Sequence, residues 1–372
     1  MMSQDVFDSN GLIWEQGSEF HLPAHTYSNT NHSPWEHRAT YWASGRAALL
    51  AILGNGFNQL NWKRIWIPSY YCPDVVDGIE KSGLEIEVYS LNPDTLSVTV
   101  PLEIQPGDVV LLANIFGLFT KDIYQTFSQQ AFTAVIEDHT HDPWSSWASE
   151  SEADWCFASL RKTLPIPDGA VSWSPRDHSK INSLPIGPEH QTYTASLEKM
   201  TSMVLKGYYL RGGAIRKDVF RKLAVAGEHN IFQNELVSIS PWSFELYQTF
   251  PIHEWRGKRV ENWRILVEAL KEESSIKILF PPENEIARPF SVILLFPSKQ
   301  CRDKVRGELI QQHIYPSVLW DISSADFAKK DEKAIDFSKR MLSIHCDMRY
   351  NREDMLKVGQ AILQAVRGCS AI

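Results

Sequence analysis

The feature that most constrains this chain is a recurrence of short apolar runs, each halting at a polar residue and separated by stretches of helical periodicity. Runs of strand character cover residues 65–68, 85–89, 109–115 and 134–137. Residues 44–53 read as an Ala/Leu-rich helix that Ser44 can cap and that Gly54 and Gly56 are expected to end. Residues 74–81 read as another, stopped by Gly83. This alternation predicts an α/β fold with a mostly parallel sheet, flanking helices and right-handed crossovers. In such sheets ligands gather at the strand ends, so the polar residues found there are the first candidates for a site.

Two of these ends carry complementary chemistry. The run 134–137 delivers Asp138, and a second run, 154–159, delivers Ser159, Leu160, Arg161 and Lys162 before Pro165 and Pro167 forbid a continuing helix. A carboxylate and an amine from neighbouring strand ends are what pyridoxal 5'-phosphate requires: a lysine to bond its aldehyde and an acid to keep its ring nitrogen protonated. The small residues of Ser44-Gly45-Arg46, at a helix start, suit its phosphate, which free amides and the helix dipole favour. Desolvation and the charge of Arg161 are expected to lower the pKa of Lys162.

With those residues in view, the chain resembles the DegT/DnrJ/EryC1/StrS family of fold-type-I pyridoxal-phosphate aminotransferases. The resemblance rests on Ser44-Gly45-Arg46-Ala47-Ala48, Ile67-Pro68-Ser69-Tyr70-Tyr71, Asn92-Pro93-Asp94-Thr95, Glu137-Asp138-His139-Thr140-His141, and Lys162 with Asp168-Gly169. It implies a large cofactor-binding domain over residues 1–250, with an N-terminal arm, and a smaller α+β domain over 251–372. It also implies that Lys162 and Asp138 are catalytic and that Ser44, Gly45, Arg46 and Ser159 surround the phosphate. The cofactor ring would stack on Tyr71, although the best register offers Cys72 and Tyr70 lies beside them; His141 would contact the ring oxygen. Asn114 and Arg349 would face the substrate. The implied reaction moves an amino group from a donor, glutamate in the family, to a keto substrate such as a nucleotide-linked sugar, in a homodimer. Dehydratases of the family carry a histidine where this chain has Lys162, which favours amino transfer. Two departures stand out: Arg46 replaces a usual threonine, and the serine before the lysine is nearer to it than in the family. A pyridoxal-phosphate enzyme with another outcome, such as elimination, and a non-catalytic binder remain the alternatives.

The rest of the sequence is consistent with this. A chain of 372 residues, 43% hydrophobic, with a formal charge of −8 and no long Lys/Arg run, argues against a nucleic-acid or membrane surface. The first residues carry no signal-like apolar segment, and the expected location is cytoplasmic. Five scattered cysteines without C-x-x-C predict neither disulfides nor a zinc ribbon. His139 and His141 alternate as metal ligands do, but no further ligand follows at metal spacing, so no metal is expected. Ser159-x-x-Lys162 also fits an acylating serine motif, yet its S-D-N and K-T-G companions are missing. Residues 21–35 are polar and turn-prone, an extended arm. Helical patterns follow at 197–205 and 216–223, and a longer one begins near Trp255, with Val260, Trp263, Val267 and Leu270 on one face. Strands are expected at 290–296 and 341–345, then a helix capped by Asn351 with Met355, Val358, Ile362 and Val366 inward.

Overall fold

Eight strands make the main sheet of the computed structural model, which describes residues 13–23, 33–35, 38–101, 103–127, 132–176, 190–233, 236–280 and 288–368. They are β1 (Thr40–Trp42), β2 (Arg64–Pro68), β3 (Glu85–Asn92), β4 (Ser97–Thr99), β5 (Asp108–Ala113), β6 (Ala134–Asp138), β7 (Trp155–Ser159) and β8 (Ala170–Trp173). Their order is β1-β8-β7-β6-β5-β2-β3-β4. The inner pairs from β7 through β6, β5 and β2 to β3 are parallel, while β1, β8 and β4 join antiparallel. The chain winds from β2 towards β3 on one side and from β5 towards β7 on the other. The crevice at that reversal is where such sheets bind ligands. Every residue of β5, β6, β7 and β8 is buried, as expected for a sheet covered on both faces.

The helices are α1 (Gly45–Gln59), α2 (Pro73–Ile79), α3 (Asp122–Phe127), α4 (Ser146–Ser149), α5 (His190–Leu210), α6 (Lys217–Gln233), α7 (Pro241–Thr249) and α8 (Ile252–Leu270). After α8 come β9 (Lys277–Ile278), β10 (Val292–Leu295), α9 (Lys299–Gln311), α10 (Glu332–Arg340), β11 (Met341–Ile344) and α11 (Arg352–Arg367). β10 is the centre of a second, antiparallel sheet, and α8, α9 and α11 pack around a separate apolar core with it. α11 starts in a capping box between Asn351 and Asp354 and buries Met355, Val358, Ile362 and Val366. No helix of the described residues is long and apolar enough to cross a membrane.

Two expectations need correction. α1 does not end at Gly54 or Gly56 but runs on to Gln59. Gly56 serves packing instead, because a Cβ there would lie 1.8 Å from Cε3 of Trp62. The run expected over 109–115 stops as a strand at Ala113, and Ile115–Gly117 is a tight turn with Phe116 at φ 60°. Of the arm expected at 21–35, residues 24–32 lie outside the described residues. The stretch just before it folds onto the C-terminal unit: Gln16 exchanges backbone bonds with His313 and Tyr315, and Trp14 Nε1 donates to Asp354 at 2.7 Å.

Candidate active site

The loops after β2, β5, β6 and β7 and the start of α1 close around one cavity, lined by Ser44, Gly45, Arg46, Tyr71, Cys72, Asn114, Asp138, His141, Ser159 and Lys162. Asp138 ends β6. Its Oδ2 accepts the Tyr71 hydroxyl at 2.6 Å and its Oδ1 accepts the Thr140 amide at 2.8 Å. Burial nevertheless pushes the Asp138 carboxyl above its ordinary pKa. Tyr71 therefore spends its hydroxyl on Asp138 and sets its ring edgewise to Trp320. Tyr70 turns away, donating to the Leu319 carbonyl and packing on Phe116 and Phe337. Cys72 lies on the cavity with burial raising its thiol to about 11, so it is neutral there.

His141 is a neutral donor. Burial pushes its pKa down to about 3, and Nδ1 accepts the Phe116 amide at 2.8 Å, which leaves the proton on Nε2. Its ring stacks on Phe290 at 4.6 Å and on Trp320 at 5.8 Å. His139 points elsewhere, to Glu137 at 2.9 Å, and with Cys156 these two make a cluster buried away from the cavity. Asn114 is buried, and its Oδ1 accepts the Phe119 amide at 3.2 Å.

Where the first turn of α1 meets β7, Ser44 caps the Ala47 amide and leaves Gly45 and Arg46 as the first-turn donors. The Ser159 hydroxyl faces this turn, buried and without a partner. A Cβ on Gly45 would stand 3.0 Å from Ser159 Cβ, so the cup depends on glycine. The stem of Arg46 lies against Gly78 of α2, where a Cβ would meet its Cδ at 2.6 Å.

Lys162 closes a short turn after β7. It lines the cavity, and burial and then Arg161 push its amine below the ordinary lysine range. Glu228 of α6 counters this: it takes both ends of the Arg161 guanidinium and pairs with Lys199 at 3.1 Å. A second cavity adjoins the first through Lys162 and Phe290, and Arg349 lines it. That guanidinium is committed to Asp347, with both contacts at 2.8 Å, and to the carbonyls of Ser18 and Glu19.

Thr140, Glu228, Phe290 and the arginines of α8 were not among the sequence candidates. Only the arginines left a signal: Arg256 and Arg259 fall on the same buried stripe as Ile252, Trp255 and Trp263.

A sheet of this order, with a carboxylate at β6 and a lysine just past β7, has the fold of type-I pyridoxal-phosphate transferases. No family model matches the sequence, and no curated protein matches it. Among solved structures the chain is similar to the putative sugar aminotransferase Spr1654 of Streptococcus pneumoniae in its PLP-form, at 12% identity and TM-score 0.60 over 93% of each chain. It is also similar to PseC of Helicobacter pylori, an aminotransferase of pseudoaminic acid biosynthesis, at 13% identity and TM-score 0.58 over 89% of this chain and 87% of that one. A DegT DnrJ EryC1 StrS aminotransferase from Brucella abortus is similar at 13% identity and TM-score 0.58, over 88% and 85%. Likeness at this identity establishes the fold.

The donor set of the cavity fits pyridoxal phosphate. An unpartnered buried hydroxyl sits beside a glycine cup at a helix start, a buried carboxyl has neutral donors and no cation bonded to it, and a lysine opens into the same space.

Proposed function

We propose that the protein is a pyridoxal-phosphate-dependent aminotransferase, which takes an amino group from an amino acid, glutamate by family resemblance, and gives it to a keto substrate. The observation that carries this is the convergence of Asp138, His141, Ser159 and Lys162 on one cavity at the switch point of this fold. Lys162 would bond the cofactor's aldehyde, Asp138 would face its ring nitrogen, and Ser44, Gly45, Arg46 and Ser159 would hold its phosphate. The cofactor supplies an electron sink for the carbanion left when a substrate C–H bond breaks. Lys162 Nζ, its pKa lowered by burial and by Arg161, would take that proton. Asp138 as carboxylate would face the protonated ring nitrogen, a partner that would offset the burial raising its pKa. His141 Nε2–H would be the donor for the ring oxygen. Phe290 and Trp320 flank that histidine and keep water from it.

Family resemblance extends the proposal to a nucleotide-linked keto-sugar as acceptor and to a homodimer. α5 turns Leu197, Val204 and Tyr208 outward, one apolar face of a long helix that a second copy would cover. Light scattering should then give twice 42.5 kDa.

The test is spectroscopic. The purified protein is expected to absorb in the visible, to lose the band on borohydride reduction and to carry the label on Lys162. Glutamate should bleach the band without reductant, and a keto-sugar nucleotide should restore it after the donor is removed. A colourless protein that takes up no cofactor rejects the reading; bleaching that no keto compound reverses favours elimination.

A further inference from the structure

Arg256 and Arg259 reach the cavity beside Lys162 from the buried stripe of α8, at 8% and 5% exposure. One carboxylate serves both. Asp142 accepts Nε and Nη2 of Arg256 at 2.9 and 2.7 Å and Nη2 of Arg259 at 3.2 Å. Nε of Arg259 is buried and has no partner. A third guanidinium, Arg288, lies near enough for Arg256 to help push its pKa down. Arg349, on the same cavity, is the contrast: although burial opposes its charge, Asp347 more than compensates and raises its pKa, whereas at Arg259 burial and Arg256 outweigh Asp142 and lower it. A buried guanidinium short of acceptors is costly to keep, and a group that brings acceptors offsets the cost.

The cavity these arginines face has a volume of about 210 Å³ and aromatic walls at Trp144, Trp255 and Phe290. A space of this size holds one oxyanion on a short stem. We infer that the Arg256–Arg259 end of this cavity is a subsite for a carboxylate or phosphate group on the compound that reacts at Lys162. The inference rests on the reading of Lys162 as the reacting amine. The planar forks of the two arginines match the paired oxygens of either anion. Asp142 is a positioning residue: it holds both forks in place and, by neutralising part of their charge, limits how tightly the anion is bound.

The experiment is calorimetric titration of the cofactor-loaded protein with glutarate and, separately, with inorganic phosphate. Because the loaded cofactor fills the cup at Ser44, Gly45 and Ser159, a phosphate signal reports this second site. Saturable binding of either probe is expected, weakened at least about tenfold in Arg259→Gln. Arg259→Lys, which keeps the charge and loses the fork, should fall between, and it carries the test should Arg259→Gln not fold. Glutarate binding would mark the source as the carboxylate of an amino or keto acid, and phosphate binding would mark a phosphorylated substrate. No binding of either probe, or equal affinity in the wild type and the Arg259 variants, overturns the subsite. A chain that takes up no cofactor yet binds glutarate through Arg259 keeps the subsite and rejects the aminotransferase reading, so the two failures are distinguishable.

Discussion

Burial holds the Asp138 carboxyl above its usual range, and hydrogen bonds from Thr140 and Tyr71 only partly oppose that. A cationic ring nitrogen would complete the balance, which makes Asp138→Asn an informative change. The amide keeps the shape and most of the hydrogen bonding, so stability should fall by only about 1 kcal/mol. Turnover should fall about a hundredfold or more, as expected when a preorganised charge is removed. Melting temperature and the rate of the glutamate half-reaction measure the two effects, and unchanged turnover would make the residue structural. Lys162 gives a pH test. The negative charge of Glu228 favours the ammonium form, and Glu228 also masks Arg161. Glu228→Gln removes the first effect and unmasks Arg161; both lower the pKa of Lys162. The neutral amine then persists to lower pH, and the rising acid limb of the rate–pH profile should move in that direction. A limb that stays in place, or moves up, contradicts the assignment. The placement of Asp138 and Lys162 at strand ends on one cavity was legible in the sequence because each position is set by the few residues around it. Glu228 was not, since it meets Arg161 from 67 residues away.

At the scale of elements, the central strands were legible as apolar runs because both faces of this sheet are covered, whereas the short strands β4, β8 and β9 were not expected. The short edge strand β1 was not legible: its three residues carry no such run, and only its pairing with β8 defines it. The end of α1 was misjudged because glycine breaks helices by propensity, and tertiary packing overrode propensity here. The two glycines of α1 thus make a paired test. Nothing lies within 4 Å of a Cβ placed on Gly54, so Gly54→Ala should add about 0.5–1 kcal/mol of stability through better helix propensity. Gly56→Ala should lose stability despite the same gain, since its methyl would enter the Trp62 ring. Denaturant midpoints of the two variants should move in opposite directions; a shift the same way would mean that Trp62 gives way freely.

Across the whole molecule, the N-terminal segment ties the C-terminal unit to α5 at the cavity beside Lys162. Residues Gly17, Ser18, Glu19 and Phe20 form one wall of that cavity, and three anchors hold them: the Tyr350 hydroxyl accepts the Gly17 amide at 2.8 Å, Lys206 of α5 donates to Ser18 Oγ at 2.8 Å and to the Glu19 carbonyl, and Arg349 donates to both carbonyls. The Arg349 guanidinium lies over the Phe20 ring at 4.4 Å as well. Its donors are thus engaged within the protein, and the physical role this supports is a tether. Arg349→Met keeps the bulk of the side chain and removes the charge, leaving Asp347 buried without its partner, a change that costs about 3–5 kcal/mol in comparable pairs. The expected result is a lower melting temperature together with faster amide exchange in the segment from Gln16 to Phe20, and a rise in substrate KM smaller than that of Arg259→Gln. Exchange that stays slow in this segment while KM rises more than in Arg259→Gln would assign Arg349 to the substrate instead, because a residue that touches substrate need not hold the wall in place.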